Sequence, residues 1–152
     1  MKKFPPERIV CLTEETVETI YLLGEEKRIV GVTGYATRPK RVRNEKPRVS
    51  SFISANIDKI VDLEPDLILA FSDIQSEIVS NLIKKGQSVL CFNQRDIEGI
   101  FNMIQTISNL LDIKQKGINL ISKLKNNIYQ IENKYNNYNK LKVYFEEWND
   151  PL

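Results

Sequence analysis

The chain has 152 residues, 41% of them hydrophobic and 28% charged, with a formal net charge of +2. That is the size of one ordinary domain with a real core, and the composition excludes a disordered or membrane-embedded chain. The charge is too small to argue for nucleic acid. The absence of histidine removes the commonest metal ligand and the usual neutral-pH general base.

In chain order, "MKKFPPER" opens with two lysines, but Pro5, Pro6, Glu7 and Arg8 stand where a signal peptide needs its apolar segment. As written, the sequence carries no export signal, which places it in the cytoplasm if it is the whole gene product. "RIVCL" (Arg8 to Leu12) reads as an apolar strand. Thr13 then offers an N-cap, Glu14 and Glu15 suit the positive end of a helix, and Val17, Ile20 and Leu23 mark its buried face. Gly24 closes that helix. "RIVGVT" (Arg28 to Thr33) is a second strand.

A basic, proline-punctuated stretch follows, with Arg38, Lys40, Arg41, Arg43, Lys46 and Arg48 opposed only by Glu45. A solvated loop is the plain reading and an anion- or partner-facing loop the sharper one. No aromatic platform runs through it, which argues against nucleic acid. Asn56 to Leu63 reads as a helix with Ile57, Ile60 and Val61 inward, and "LILAF" (Leu67 to Phe71) as a strand apolar on both faces. A helix from about Ile74 to Lys85 ends at Gly86, and "SVLCF" (Ser88 to Phe92) is the next strand. Strands and helices alternating in this way, with uninterrupted apolar strands, predict a parallel sheet covered on both faces. Ligands are then expected beyond the carboxyl ends of the strands.

After Phe92 the pattern changes. Asp96 caps a helix from Ile97 to Leu111, and a much longer one runs from about Ile113 to Asn137, near 37 Å at the helical rise. "NKYNNYNK" dissolves it into a polar linker, and Lys142 to Trp148 is predicted to close the chain as one further strand. The divisions are therefore an α/β lobe over 1–96, helices over 97–140 and a strand segment over 141–152.

The candidate chemistry is thin. "CLTEET", at the first strand-to-helix turn, lacks the glycines of a phosphate site, and Glu14 and Glu15 would repel an anion there. A receiver-type signalling domain with Asp73 as phosphoacceptor is an alternative, but "CFNQRD" lacks the lysine such a domain wants after its last strand. Two cysteines without histidines make no zinc site. Aromatic residues do gather at predicted strand exits: Tyr35, Phe52, Phe71 and Phe92. Phe92 is read as capping the core, whereas Tyr35 and Phe52 lie in polar surroundings where a wall for a large flat ligand is the better role.

Residues 8–152 carry a resemblance. "RIVCLTEETVETIYLLGEEKRIVGVTGYATRP", "RVSSFISANIDKIVDLEPDLILAF" and "KVYFEEWNDPL" resemble, in order, the amino-terminal lobe and second-lobe opening of ABC-importer substrate-binding proteins of the cobalamin and ferric-siderophore type. The resemblance implies a three-layer lobe with a four-stranded parallel sheet in the order 2-1-3-4, a long bridging helix, and the first strand of a second lobe that does not continue past Leu152. It implies ligand binding, not catalysis, with cobalamin, a ferric siderophore or haem held between lobes. No metal site of the protein's own and no cofactor are implied. Tyr35, Phe52 and Phe71 match first-lobe ligand positions, Glu147 and Trp148 match the second-lobe wall, and Asp58 matches an acid that docks onto arginines of the permease subunits. With that strand order a third strand separates Cys11 from Cys91, about 9.5 Å apart, beyond disulfide reach. Both thiols are expected reduced and buried. A stand-alone interaction module, dimeric through the closing strand, is the rival reading.

Overall fold

The computed structural model describes residues 4–146. Five parallel strands form one sheet: β1 (Ile9–Cys11), β2 (Ile29–Thr33), β3 (Arg48–Ser50), β4 (Leu67–Phe71) and β5 (Val89–Phe92), in the order β3-β2-β1-β4-β5. Six α-helices connect or follow them: α1 (Glu14–Leu22), α2 (Val42–Glu45), α3 (Ile57–Asp62), α4 (Ser76–Lys84), α5 (Ile97–Leu110) and α6 (Lys114–Tyr135). Short 3-10 turns sit at Glu26–Arg28 and Asp73–Gln75.

Side chains alternate across the sheet, so each strand feeds two cores. Val10, Leu12, Ile68 and Ala70 face one way and pack with Ile60 of α3 and Ile78 and Leu82 of α4. Ile9, Cys11 and Leu69 take the opposite pleat face and are fully buried there, and α1 and α5 add Val17, Ile20, Ile104 and Ile107 to the buried set. Local chemistry fixes the helix starts. The Asn56 side chain accepts from the Lys59 N–H at 2.9 Å, and Asp96 Oδ1 accepts from the Gly99 N–H at 2.7 Å, each satisfying an orphan donor of the first turn. Gly24 and Gly86 end α1 and α4 at φ +72° and +74°, where a side chain would be strained.

Three expectations need correction. The sheet has five strands, not four: the four predicted strands keep their relative order, and β3 adds an edge beside β2. β3 was invisible because it is three residues long, buries only Val49, and pairs with β2 through a register shift. The predicted strand from Lys142 is not formed over residues 141–146, which have no pairing partner among the described residues. A strand needs a ladder to satisfy its backbone groups. Glu147 and Trp148 lie outside the described residues.

The third correction concerns the thiols. Both are free, but only Cys11 is buried, whereas Cys91 is exposed because β5 is an edge strand. β4 does lie between β1 and β5, as the disulfide argument requires. Burial pushes the Cys11 thiol up to about 12, which suppresses its reactive thiolate form. The folded chain should therefore take up one equivalent of a thiol-specific reagent quickly, at Cys91, and a second only in denaturant. Mass spectrometry after timed quenching checks this, and two fast equivalents would contradict the buried placement of Cys11.

The chain divides into two compact units, residues 1–122 and 123–152. Within the first, α6 begins against α5, and Gly117 faces Ser108. Lys116 Nζ reaches Glu25 Oε1 at 2.7 Å, and Arg28 Nε reaches Glu25 Oε2 at 2.8 Å. Burial alone would raise the Glu25 carboxyl; the two cations overcome it and hold the group below the usual carboxylate range. A carboxyl depressed by folding adds stability above its unfolded pKa of about 4.3 and loses it as pH falls through the folded value. Glu25→Gln should accordingly show a smaller drop in melting temperature than the parent between about pH 5 and pH 3, and an identical drop would remove Glu25 from the acid response. The second unit contains the remainder of α6, where Tyr135 meets Tyr138 with ring centroids 5.6 Å apart. All of α6 is about 33 Å long at the helical rise.

Candidate functional site

Parallel strands deliver all their exits to one end of the sheet, and helix N-termini follow them there. At the β2 exit, Gly34 donates to the Ser50 carbonyl at 2.7 Å and Ala36 donates to Thr33 O at 3.2 Å. Ala36 is buried, which anchors the turn and leaves Tyr35 at its tip, 59% exposed. At the β3 exit, Ser51 N–H donates to Ser54 O at 2.8 Å, their hydroxyls lie 2.7 Å apart, and Ser50 bridges Ala55. This closed turn presents Phe52 and Ile53, 42% and 72% exposed.

Tyr35 and Phe52 meet edge to face, with centroids 6.4 Å apart and planes at 82°. Such a pair is worth about 0.5–1.5 kcal/mol beyond its buried area. Neither ring completes the core. Phe71 is half-buried at the β4 exit, with the Arg95 guanidinium 5.6 Å from its ring centre and Asp73 3.3 Å from Arg95. Ile74, 47% exposed, belongs to the same exit. The residues expected at the exits are thus found there, although Phe71 is partly screened by its cation. Phe92 is half-buried at the β5 exit. Asp58 stands in the first turn of α3, its side chain 84% exposed and 3.5 Å from Lys85. An exposed pair of this kind contributes little, so the carboxylate is available.

Two features had no signal in the sequence pattern. Gln75, 1% exposed, donates from Nε2 to Leu12 O at 3.2 Å and to Phe52 O at 3.0 Å, and accepts the Phe71 N–H at 3.1 Å on Oε1. Ser72 adopts φ 53° and ψ −176°, a region that costs a residue other than glycine on the order of 1–3 kcal/mol. Ser72 donates its N–H to Phe92 O at 2.7 Å and its hydroxyl accepts from Ile74 N at 3.3 Å, so the surroundings hold the strained residue. That reversal is what turns the chain from β4 into the 3-10 segment and sends Gln75 inward.

The electrostatics of the basic stretch are largely internal. Arg38 pairs with Glu18 at 3.1 Å and Glu14 at 3.6 Å, and Arg41 with Glu26 at 3.0 Å and Glu45 at 3.1 Å. Lys46 donates to Ile29 O at 2.8 Å, and burial lowers its pKa. Glu14 also accepts from the Thr37 hydroxyl at 2.6 Å, so the positive end of α1 is already occupied by carboxylate. Arg38, Arg41 and Lys46 brace the loop through acceptors of the lobe itself.

Among the described residues no group of three or more His, Cys, Asp or Glu side chains could hold a metal ion. No helix there is long and apolar enough to cross a membrane. A separate groove of about 640 Å³ lies between α4 and the β5 exit, lined by Ser76, Val79, Ile83, Cys91 and Phe92 among others. Tyr35, Phe52 and Phe71 do not line it. The strand-exit face is therefore an open aromatic wall with polar edges.

The sequence profile of a family described as "Periplasmic binding protein" matches residues 9–151. An ABC transporter substrate-binding lipoprotein of Bacillus subtilis, YvrC, itself uncharacterised, is 28% identical over 98% of this chain and 49% of its own length. A vitamin B12-binding protein of Vibrio vulnificus is 24% identical over 97% of this chain and 54% of its own. Among solved structures, a possible iron-binding periplasmic solute-binding protein of Staphylococcus epidermidis superposes with a TM-score of 0.81 at 26% identity, covering 90% of this chain and 54% of that one. The periplasmic vitamin B12-binding protein of Vibrio cholerae gives 0.78 at 24% identity, over 89% and 53%, a likeness of fold. The chain spans about half the length of the curated relatives it matches.

Proposed function

We propose that this chain, which belongs to the periplasmic binding protein family, forms the first-lobe ligand wall of an ABC-importer substrate-binding component for corrinoid, haem or ferric-siderophore solutes. The observation that carries the reading is the exposed Tyr35–Phe52 pair at the strand exits. Two aromatic rings held in solvent by hydrogen-bonded turns expose apolar area that a flat, polarisable ligand would cover. Ile53 and Ile74 extend that wall, Phe71 lies at its half-buried border, and Glu147 and Trp148 are proposed as ligand-binding residues of the second lobe. The relatives named for vitamin B12 support the corrinoid class.

The function is capture and hand-over, with no reaction assigned. Asp58 is proposed to pair with an arginine of the permease, because its carboxylate is exposed and its own partner is weak. Relatives described as a lipoprotein or as periplasmic support an extracytoplasmic setting. Leu141, Val143, Tyr144 and Phe145 are each more than three-quarters exposed. That favours a second reading, in which two copies of the chain pair through this segment; solution mass separates a dimer from a monomer.

The test of the ligand reading is a titration of the chain with cyanocobalamin, haemin and a ferric siderophore, followed by tyrosine and tryptophan fluorescence with inner-filter correction. Saturable quenching by one of them is expected, and no saturation by any of them would remove the reading.

A further inference from the structure

We propose that Gln75 is the positioning residue of the ligand wall: its buried amide fixes the Phe52 turn to the exits of β1 and β4, so that the Tyr35–Phe52 pair is preformed. This rests on the ligand reading above for its purpose, but not for its geometry.

A glutamine amide offers two N–H donors and two acceptor positions. Gln75 uses both donors and one acceptor on backbone groups of three different segments: Leu12 O, Phe52 O and Phe71 N–H. The partners are 63, 23 and 4 residues away in sequence. Buried polar side chains persist where they are satisfied in this way, and an amide with both donors and one acceptor engaged specifies one arrangement of the segments it joins.

The Phe52 turn needs such a tie. β3 sits at the sheet edge, pairs with β2 through two registered residue pairs, and has no ladder to β1 or β4. The bonds inside the turn, from Ser51 to Ser54 and across the Ser50–Ala55 bridge, give it shape but not position. Among the described residues, the hydrogen bond from Gln75 is the one that fastens the turn to the β1–β4 side of the sheet. Gln75 is aimed by the Ser72 reversal, whose N–H is bonded to β5 through Phe92 O. One side chain thereby joins the exits of β1 and β4 to the Phe52 backbone, and the Ser72 N–H adds the tie to β5.

Solution NMR on the full chain tests this without a ligand. In the parent, both Gln75 Nε2 protons should exchange far more slowly than those of exposed glutamines and show through-hydrogen-bond coupling to the Leu12 and Phe52 carbonyls. Free exchange without coupling would overturn the proposal even if no variant folds. Gln75→Glu keeps an acceptor for Phe71 N–H but loses both donors, and Gln75→Met keeps the volume alone. In either variant the Ser51–Ser54 amides should exchange roughly tenfold faster, the effect of one net hydrogen bond. Tyr35 ring signals should also move toward those of Phe52→Leu, while Ile68 stays protected. A folded Gln75→Met with unchanged Tyr35 signals would reduce Gln75 to packing. A ligand titration separates the two readings. If the parent binds nothing, the ligand reading falls and the clamp stands on its NMR signature. If the parent and Gln75→Met bind with equal affinity, the positioning role falls.

Discussion

Gly117→Ala is expected to lower stability by about 2 kcal/mol, a loss of roughly 4–8 °C in melting temperature for a domain of this size. The sign is informative because intrinsic propensity predicts the opposite: inside a helix, alanine is better than glycine by about 1 kcal/mol. A Cβ at 117 would fall on the Ser108 hydroxyl oxygen and within 3 Å of the Ser108 Cβ. Ser108 cannot swing aside cheaply, being fully buried with its hydroxyl donating to Gln105 O at 2.9 Å. The clash therefore has to separate α5 from α6, opening the packing around Ile104 and Ile107. Ser108→Gly should rescue much of the loss in the double variant, a coupling that independent sites do not show. If Gly117→Ala is instead stabilising, the two helices are not in close approach there.

The long-range order of this fold was legible where local chemistry and global position agree. Asp96 was readable as a cap because the capping carboxylate acts three residues away in sequence. β1 and β4, read as uninterrupted apolar strands, are interior parallel strands. What escaped depends on neighbours far along the chain. β3 has a single buried residue, too few to show a period. The exposure of Cys91 follows from β5 being the last strand of the sheet, which its apolar sequence hides. Within the site, Tyr35 and Phe52 stood out as aromatics in polar segments, whereas Gln75 looked like an ordinary polar residue near a helix start. Its meaning lies in two carbonyls 63 and 23 residues away, and no spacing rule reports them.

The second large effect concerns binding. Replacing Tyr35 and Phe52 together by alanine should weaken binding of the ligand identified by titration roughly thirtyfold or more, as expected of central aromatic anchors. Folding should hardly notice. Both rings are substantially exposed, and the pair itself contributes about 1 kcal/mol, so the melting temperature should fall by no more than a few degrees. A core aromatic would behave the other way round, with several kcal/mol lost from stability. Single replacements should each cost more than half of the combined free energy if the rings act as one wall, because the first removal also frees its partner. Loss of binding accompanied by unfolding would return both rings to a structural role.

Everything proposed for binding turns on the ligand lying against the strand-exit face of this lobe. Chemical-shift mapping of the isotopically labelled chain, titrated with the solute that quenches its fluorescence, locates the ligand residue by residue. Saturable perturbations are expected at Tyr35, Phe52, Ile53 and Ile74, weaker ones at Phe71, and quiet signals along the α4–β5 groove at Ile83 and Cys91. Perturbations centred on that groove, with Tyr35 and Phe52 unmoved, would place the ligand elsewhere and overturn the aromatic wall.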